Sequence, residues 1–227
     1  MSQLALPLRL ADYAVFDTFL AAGNEPAVAY LESLVEAAPG QGAWIWGAPA
    51  TGKSHLLQAT CERFADRAAY LPLADLEEAG PALLEGLDSR QLVCIDDVDR
   101  VAGDEGWEHG LFVLCNALIE AGHHLVVSAP AAPRESGIVL ADLRSRFQRL
   151  ATFHIRPLDD AARMEALQLR AGHRGLELPA ETARFLMARS RRDMRSLYEL
   201  LDKLDLEALR AQRKLTIPFV RDVLQGS

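Results

Sequence analysis

The stretch GAPATGKS, residues 47–54, fits G-x-x-x-x-G-K-[ST] at every fixed position. It lies between the apolar run AWIW and the helical pattern SHLLQATCERF, where a phosphate-cradling loop has to lie. The candidate phosphate-binding residues are Gly47, Ala48, Pro49, Ala50, Thr51, Gly52, Lys53, Ser54 and His55. Backbone N–H groups of such a loop and of the following helix N-terminus would point at phosphate oxygens. Lys53 would reach the terminal phosphates, and the Ser54 hydroxyl would ligate magnesium. A second apolar run, LVCIDDVD, ends in paired carboxylates. Asp96 there can hold the metal while Asp97 orients a water. Carboxylates at a strand end also cap turns, but beside a phosphate loop the metal role prevails. The ligand expected from this chemistry is a nucleoside triphosphate or diphosphate with Mg2+.

These residues need strands and helices to position them. Five short apolar runs have the character of parallel strands buried on both faces: AWIW at 43–46, AAYLPL at 68–73, LVCID at 92–96, LVVS at 125–128 and TFHI at 152–155. Helical patterns such as SHLLQATCERFA and GLFVLCNALIEA alternate with them, which predicts an α/β fold with helices on both faces of a five-stranded parallel sheet. After Pro157 the strands stop and helical periodicity continues, with Gly175, Pro179, Ser190 and the turn from Thr216 to Pro218 as boundaries. The expected organisation is a peptide over 1–9, a nucleotide-binding α/β unit over 10–157 and a small all-α unit over 158–227.

Composition narrows the class. The chain has 227 residues, is 50% hydrophobic and carries a formal net charge of −8, which opposes broad attraction to nucleic-acid phosphates. Any DNA association is expected to be indirect or very local. Cys61, Cys94 and Cys115 sit in apolar surroundings without C-x-x-C spacing and are expected as small core residues of a cytoplasmic protein. No apolar stretch reaches the roughly 18 residues of a membrane span. His123 and His124 are expected at the solvated start of a strand.

The helical tail after a phosphate loop resembles the AAA+ class, in which a helical lid folds over the nucleotide. YAVFDTFLAAGNEPAVAY resembles the segment before the loop in the bacterial initiator DnaA, with Phe16, Phe19 and Asn24 matching its F-x-x-F-x-x-G-x-N pattern. LVCIDD, LRSRF at 143–147 and DMRSL at 193–197 follow in DnaA order. DnaA continues past its lid into a helix-turn-helix domain, whereas this sequence ends at Ser227. MEALQLRAGHRGLELP and AQRKLTIPFVRDVL direct the resemblance to the Hda family of DnaA-related regulatory inactivators.

That resemblance gives a role to the apolar opening. Gln3, Leu4, Ala5, Leu6, Pro7 and Leu8 are similar to the family's Q-L-x-L-P-L peptide, which docks on the DNA polymerase III sliding clamp (the beta subunit). Read without the family, the same residues are a loose or core-packed tail. Each buried leucine contributes roughly 1.5–3 kcal/mol, while ordering the peptide costs about 1–2 kcal/mol per residue. A weak, switchable tether results.

The resemblance also implies that Arg146 is an arginine finger reaching a neighbour's nucleotide, that Arg195 is the lid arginine touching the phosphates of bound ADP or ATP, and that DnaA is the partner. Arg144 and Arg149 read as a solvated helix end, and Arg189, Arg191 and Arg192 as lid surface. A homodimer or nucleotide-dependent association follows from AAA+ contacts, and nucleoid association from the clamp. Pro130 stands where DnaA-like sequences place an aspartate, leaving Ser128 as the nearby polar group, so intrinsic ATPase activity is expected to be weak at most. Two further readings of the same core are a DnaC- or IstB-like loader and a free-standing P-loop ATPase.

Overall fold

A computed structural model describes residues 14–189 and 193–225. The clamp-peptide residues Gln3, Leu4, Leu6, Pro7 and Leu8 lie outside the described residues, as do Ser190, Arg191 and Arg192.

The five apolar runs form five strands: β1 (Gly42–Trp46), β2 (Ala68–Pro72), β3 (Leu92–Asp96), β4 (His124–Ala129) and β5 (Ala151–His154). Their order is β2-β3-β4-β1-β5, and every neighbouring pair is parallel. Helices in chain order are α1 (Glu25–Ser33), α2 (Lys53–Phe64), α3 (Leu73–Leu76), α4 (Glu105–Ala121) and α5 (Ala141–Phe147). Four more follow β5: α6 (Asp160–His173), α7 (Ala180–Met187), α8 (Met194–Ala211) and α9 (Ile217–Gln225).

Strand periodicity divides the side chains between two cores. Trp44, Val93, Ile95 and Val127 pack with Leu111, Cys115, Leu143 and Phe147 of α4 and α5. Their alternates Ala43, Ile45, Cys94 and Val126 pack with Leu31 of α1 and Leu56, Leu57 and Phe64 of α2. Burial on both faces is why β1, β3 and β4 read as continuous apolar runs, whereas the edge strands β2 and β5 depart from the expectation and are only partly buried. A third core, with Leu167, Leu186, Leu201, Leu204 and Phe219, belongs to the helices after β5.

Helix boundaries follow local chemistry. The side chains of Asp104, Asp159 and Asp193 accept from Trp107, Ala162 and Ser196 N–H and so cap α4, α6 and α8. Gly122, at φ +70°, ends α4. The three cysteines are buried, as their surroundings predict. His124 departs from expectation: it is buried within β4, with Nδ1 3.1 Å from the Gln41 carbonyl oxygen. Residues 73–89, which carry no clear periodicity, form α3 and a series of short 3-10 turns.

Candidate functional site

The loop 47–54 joins the carboxyl end of β1 to the first turn of α2. Gly52 has φ +98°, and a Cβ there would approach Phe19 Cε2 to 2.7 Å, so both conformation and space require glycine. Ala50 also adopts a positive φ, 61°. Phe19, singled out in the lead-in pattern, therefore forms the floor of the loop and meets His55 edge-on at 5.4 Å. His55 Nε2 lies 2.9 Å from the Val15 carbonyl oxygen and 3.3 Å from Thr18 Oγ1. Asn24 pins the other end of this segment, accepting from Arg156 N–H at 2.8 Å and donating to its carbonyl at 3.2 Å.

Lys53 is buried, and its Nζ donates to the Gly47 and Ala48 carbonyls at 3.0 and 3.1 Å. Burial lowers its pKa, against the pull of Asp97, Asp96 and Asp99. Asp96, at the end of β3, is buried and accepts from two hydroxyls: Tyr70 at 2.7 Å, and Ser128 at its other oxygen. Ser128 Oγ also accepts from Asp97 N–H at 2.9 Å, and Gln58 donates to Tyr70 at 3.3 Å. A polar relay thus crosses the carboxyl ends of β2, β3 and β4. Burial, then the Asp96 charge, raises the pKa of both Tyr70 and Asp97; for Asp97, Lys53 opposes the rise.

These groups open on a cleft of about 980 Å³ walled by the loop, the carboxyl ends of the strands and the lid helices. From the lid come Met194, Arg195, Tyr198, Glu199, Arg170 and Asp202. Arg195 is exposed and pairs with Glu199 at 3.0 Å. Arg170 is deeper: it is 2% exposed, donates to both Asp202 oxygens at 2.9 and 3.0 Å, and lies 4.2 Å above the Tyr198 ring. Pro130 lines the same cleft.

No group of three or more potential metal-ligating side chains occurs among the described residues. Magnesium held by one or two protein groups, phosphate oxygens and water needs none. The residues fit that role: Ser54 is exposed at the cleft, and Asp99 Oδ1 there is buried without a hydrogen-bond partner.

Arg146 lies elsewhere. It lines a second cleft of about 480 Å³ with Gly42, Leu125 and Ala151, at the amino ends of β1, β4 and β5, opposite the loop. Its side chain is half-buried and its guanidinium makes no ion pair or hydrogen bond among the described residues. It faces Cys115, whose thiol burial pushes up to about 12 while Arg146 pulls the other way. Arg149 is exposed beside it, and Arg144 donates to the Ile138 carbonyl at 3.1 Å, a structural bond.

Sequence reasoning missed Tyr70, Arg170, Tyr198 and Asp99. Their adjacency is created by strand register and lid packing rather than by spacing.

The geometry has relatives. The model of the bacterial DnaA ATPase domain matches residues 77–153, and that of the Hda lid domain matches residues 160–224. Domain III of the Thermotoga maritima replication initiation protein DnaA is similar at 22% identity, with a TM-score of 0.77 over 96% of this chain and 98% of that one. AMPPCP-bound DnaA from Aquifex aeolicus is similar at 23% identity and a TM-score of 0.69, over 88% and 68% of the two chains. The Thermotoga maritima RuvB Holliday junction branch migration motor is similar at 16% identity and a TM-score of 0.62, over 94% and 73%. A five-stranded parallel sheet of this order, a phosphate loop after β1 and a helical lid define an AAA+ module. Within that fold the two matched segments, one similar to the bacterial DnaA ATPase domain and one to the Hda lid domain, follow one another along the chain. No helix among the described residues is long and apolar enough to cross a membrane.

Proposed function

We propose that this chain regulates the replication initiator DnaA by accelerating hydrolysis of the ATP that DnaA holds. Gln3, Leu4, Leu6, Pro7 and Leu8 tether it to the DNA sliding clamp. From that station it packs against ATP-bound DnaA and directs Arg146 at the partner's γ-phosphate. Charge that develops in the phosphoryl-transfer transition state then meets a fixed cation, an effect worth about 10³–10⁵ in GTPase-activating systems. DnaA passes to its ADP form and does not start another round. The clamp places an acidic protein at the nucleoid without direct DNA binding.

The observation that carries this reading is the position of Arg146. It sits at the amino edge of the sheet, with no internal partner among the described residues, while the chain's own phosphate loop is at the carboxyl edge. A guanidinium there is poorly placed for its own nucleotide, which supports a role toward a neighbour's.

The chain's own ADP or ATP has a structural task in this account. Loop N–H groups and Lys53 would hold the phosphates, Ser54 and Asp96 would hold Mg2+, and Arg195 would turn from Glu199 to the phosphates. When bound, the metal neutralises phosphate charge. Pro130, in the same cleft, supplies neither an N–H nor a carboxylate to assist Asp97 in orienting water. Turnover is slow, and the nucleotide joins the lid to the sheet.

The tether is tested by hydrolysis of DnaA-held ATP on DNA-loaded clamps, comparing wild type with Gln3→Ala/Leu6→Ala. A tether supplies effective concentration and no chemistry, so the variant should lose stimulation at low concentration and regain it at high concentration. Full stimulation by the variant at low concentration contradicts the tether.

A further inference from the structure

Glu108 is a carboxylate on the buried face of α4, 3% exposed. Its Oε1 accepts from Gly103 N–H at 2.7 Å and Val139 N–H at 2.9 Å. Its Oε2 accepts from Val139 at 3.1 Å and from Leu140 at 2.6 Å. One side chain therefore satisfies three backbone donors from two loops distant in sequence. Gly103 ends the turn that leaves Asp96 and Asp97, and Leu140 is the residue from which α5 starts.

A buried ion is a poor way to gain stability, because desolvation offsets much of what its hydrogen bonds return. The surroundings are apolar, with Trp107, Leu111, Ile138 and Leu143 in the same core. What the carboxylate does supply is geometry. α5 spans seven residues, and its lower face is fixed by Leu143 and by Phe147 against Trp44 at 5.2 Å. Those contacts set its roll. Its upstream end is held by the Glu108 bonds and by the return of Arg144 to Ile138. Arg146 leaves this helix with no internal partner to aim it among the described residues, so the helix must do so.

We propose that Glu108 is a positioning residue for Arg146, acting by tethering the segment 138–140 to α4. This rests on the trans-arginine reading given above. Misplacing a reacting group by about 1 Å can cost on the order of 100-fold in rate, so loss of the tether should fall on the chemical step rather than on association.

Two variants approach the same bonds from opposite sides. Glu108→Gln keeps shape but turns one acceptor into a donor facing backbone N–H. Leu140→Pro removes one N–H donor at a residue whose φ, −65°, is the value proline imposes. Each is measured for clamp-dependent hydrolysis of DnaA-held ATP, reading the maximal rate constant and the half-saturating concentration separately. The expected result is a maximal rate constant reduced about 10- to 100-fold at unchanged half-saturation, with Glu108→Gln/Arg146→Ala no slower than Arg146→Ala. If Glu108→Gln fails to fold, Leu140→Pro decides alone.

If Arg146→Ala abolishes stimulation while both variants keep it, the positioning role is overturned and the trans-arginine reading stands. A change in half-saturation alone, or a double variant slower than Arg146→Ala, also overturns the role. If Arg146→Ala keeps full stimulation, the underlying reading has failed and the role falls with it.

Discussion

Asp97 is held in a left-handed conformation at φ 54°, with its N–H bonded to Ser128 and its carboxyl under the influence of the Asp96 and Lys53 charges. Burial and Asp96 raise its pKa, so the folded chain binds this proton more tightly than the unfolded chain does. The group therefore adds stability as pH falls through its raised value and withdraws it above. Asp97→Asn should show a higher melting temperature than wild type at neutral pH, and the difference should vanish in acid where Asp97 is protonated. Thermal denaturation across pH measures both. The loop residues were legible in sequence because backbone geometry dictates their spacing. The relay from Tyr70 through Asp96 to Ser128 was not, because it runs across three strands whose register no single segment encodes.

At the scale of elements, the lead-in segment and α2 act as one unit through His55 and Phe19. Burial is the largest influence on His55 and lowers its pKa below 6.5, the Val15 carbonyl opposing it and Arg170 adding to it. A depressed histidine contributes stability that is present above its ordinary pKa and lost as pH falls through the depressed value. A His55→Gln variant should have a flatter stability profile from about pH 7 to about pH 5 than wild type, read by urea denaturation. An equally steep profile would remove His55 as the cause.

The five strands and the long helices were readable because apolar runs and 3.6-residue stripes report burial directly. Residues 73–89 were opaque, being short turns whose shape is set by packing on α4. Glu108 left one clue, a carboxylate inside the apolar stripe of Trp107, Leu111, Cys115 and Leu118. Its partners lie in two separate loops and could not be inferred from it.

At the scale of the molecule, the parallel sheet separates two clefts. The phosphate loop and lid occupy its carboxyl edge and Arg146 its amino edge. Under the proposed function, ADP bound at the first should stabilise the fold by mass action, about 2.7 kcal/mol at 100 times its Kd. Lys53→Ala should abolish that shift in a thermal melt while the unliganded protein still unfolds cooperatively. The second cleft should respond to a partner and not to free nucleotide.

The central claim is that Arg146 acts on ATP held by another protein. Single-turnover hydrolysis of ATP preloaded on DnaA, with DNA-loaded clamp present, compares wild type with Arg146→Ala and Arg146→Lys at saturating concentrations. The account predicts at least a 100-fold loss for alanine, incomplete rescue by lysine because a guanidinium fork is not an ammonium, and unchanged binding to clamp and DnaA. Undiminished hydrolysis with Arg146→Ala would contradict it.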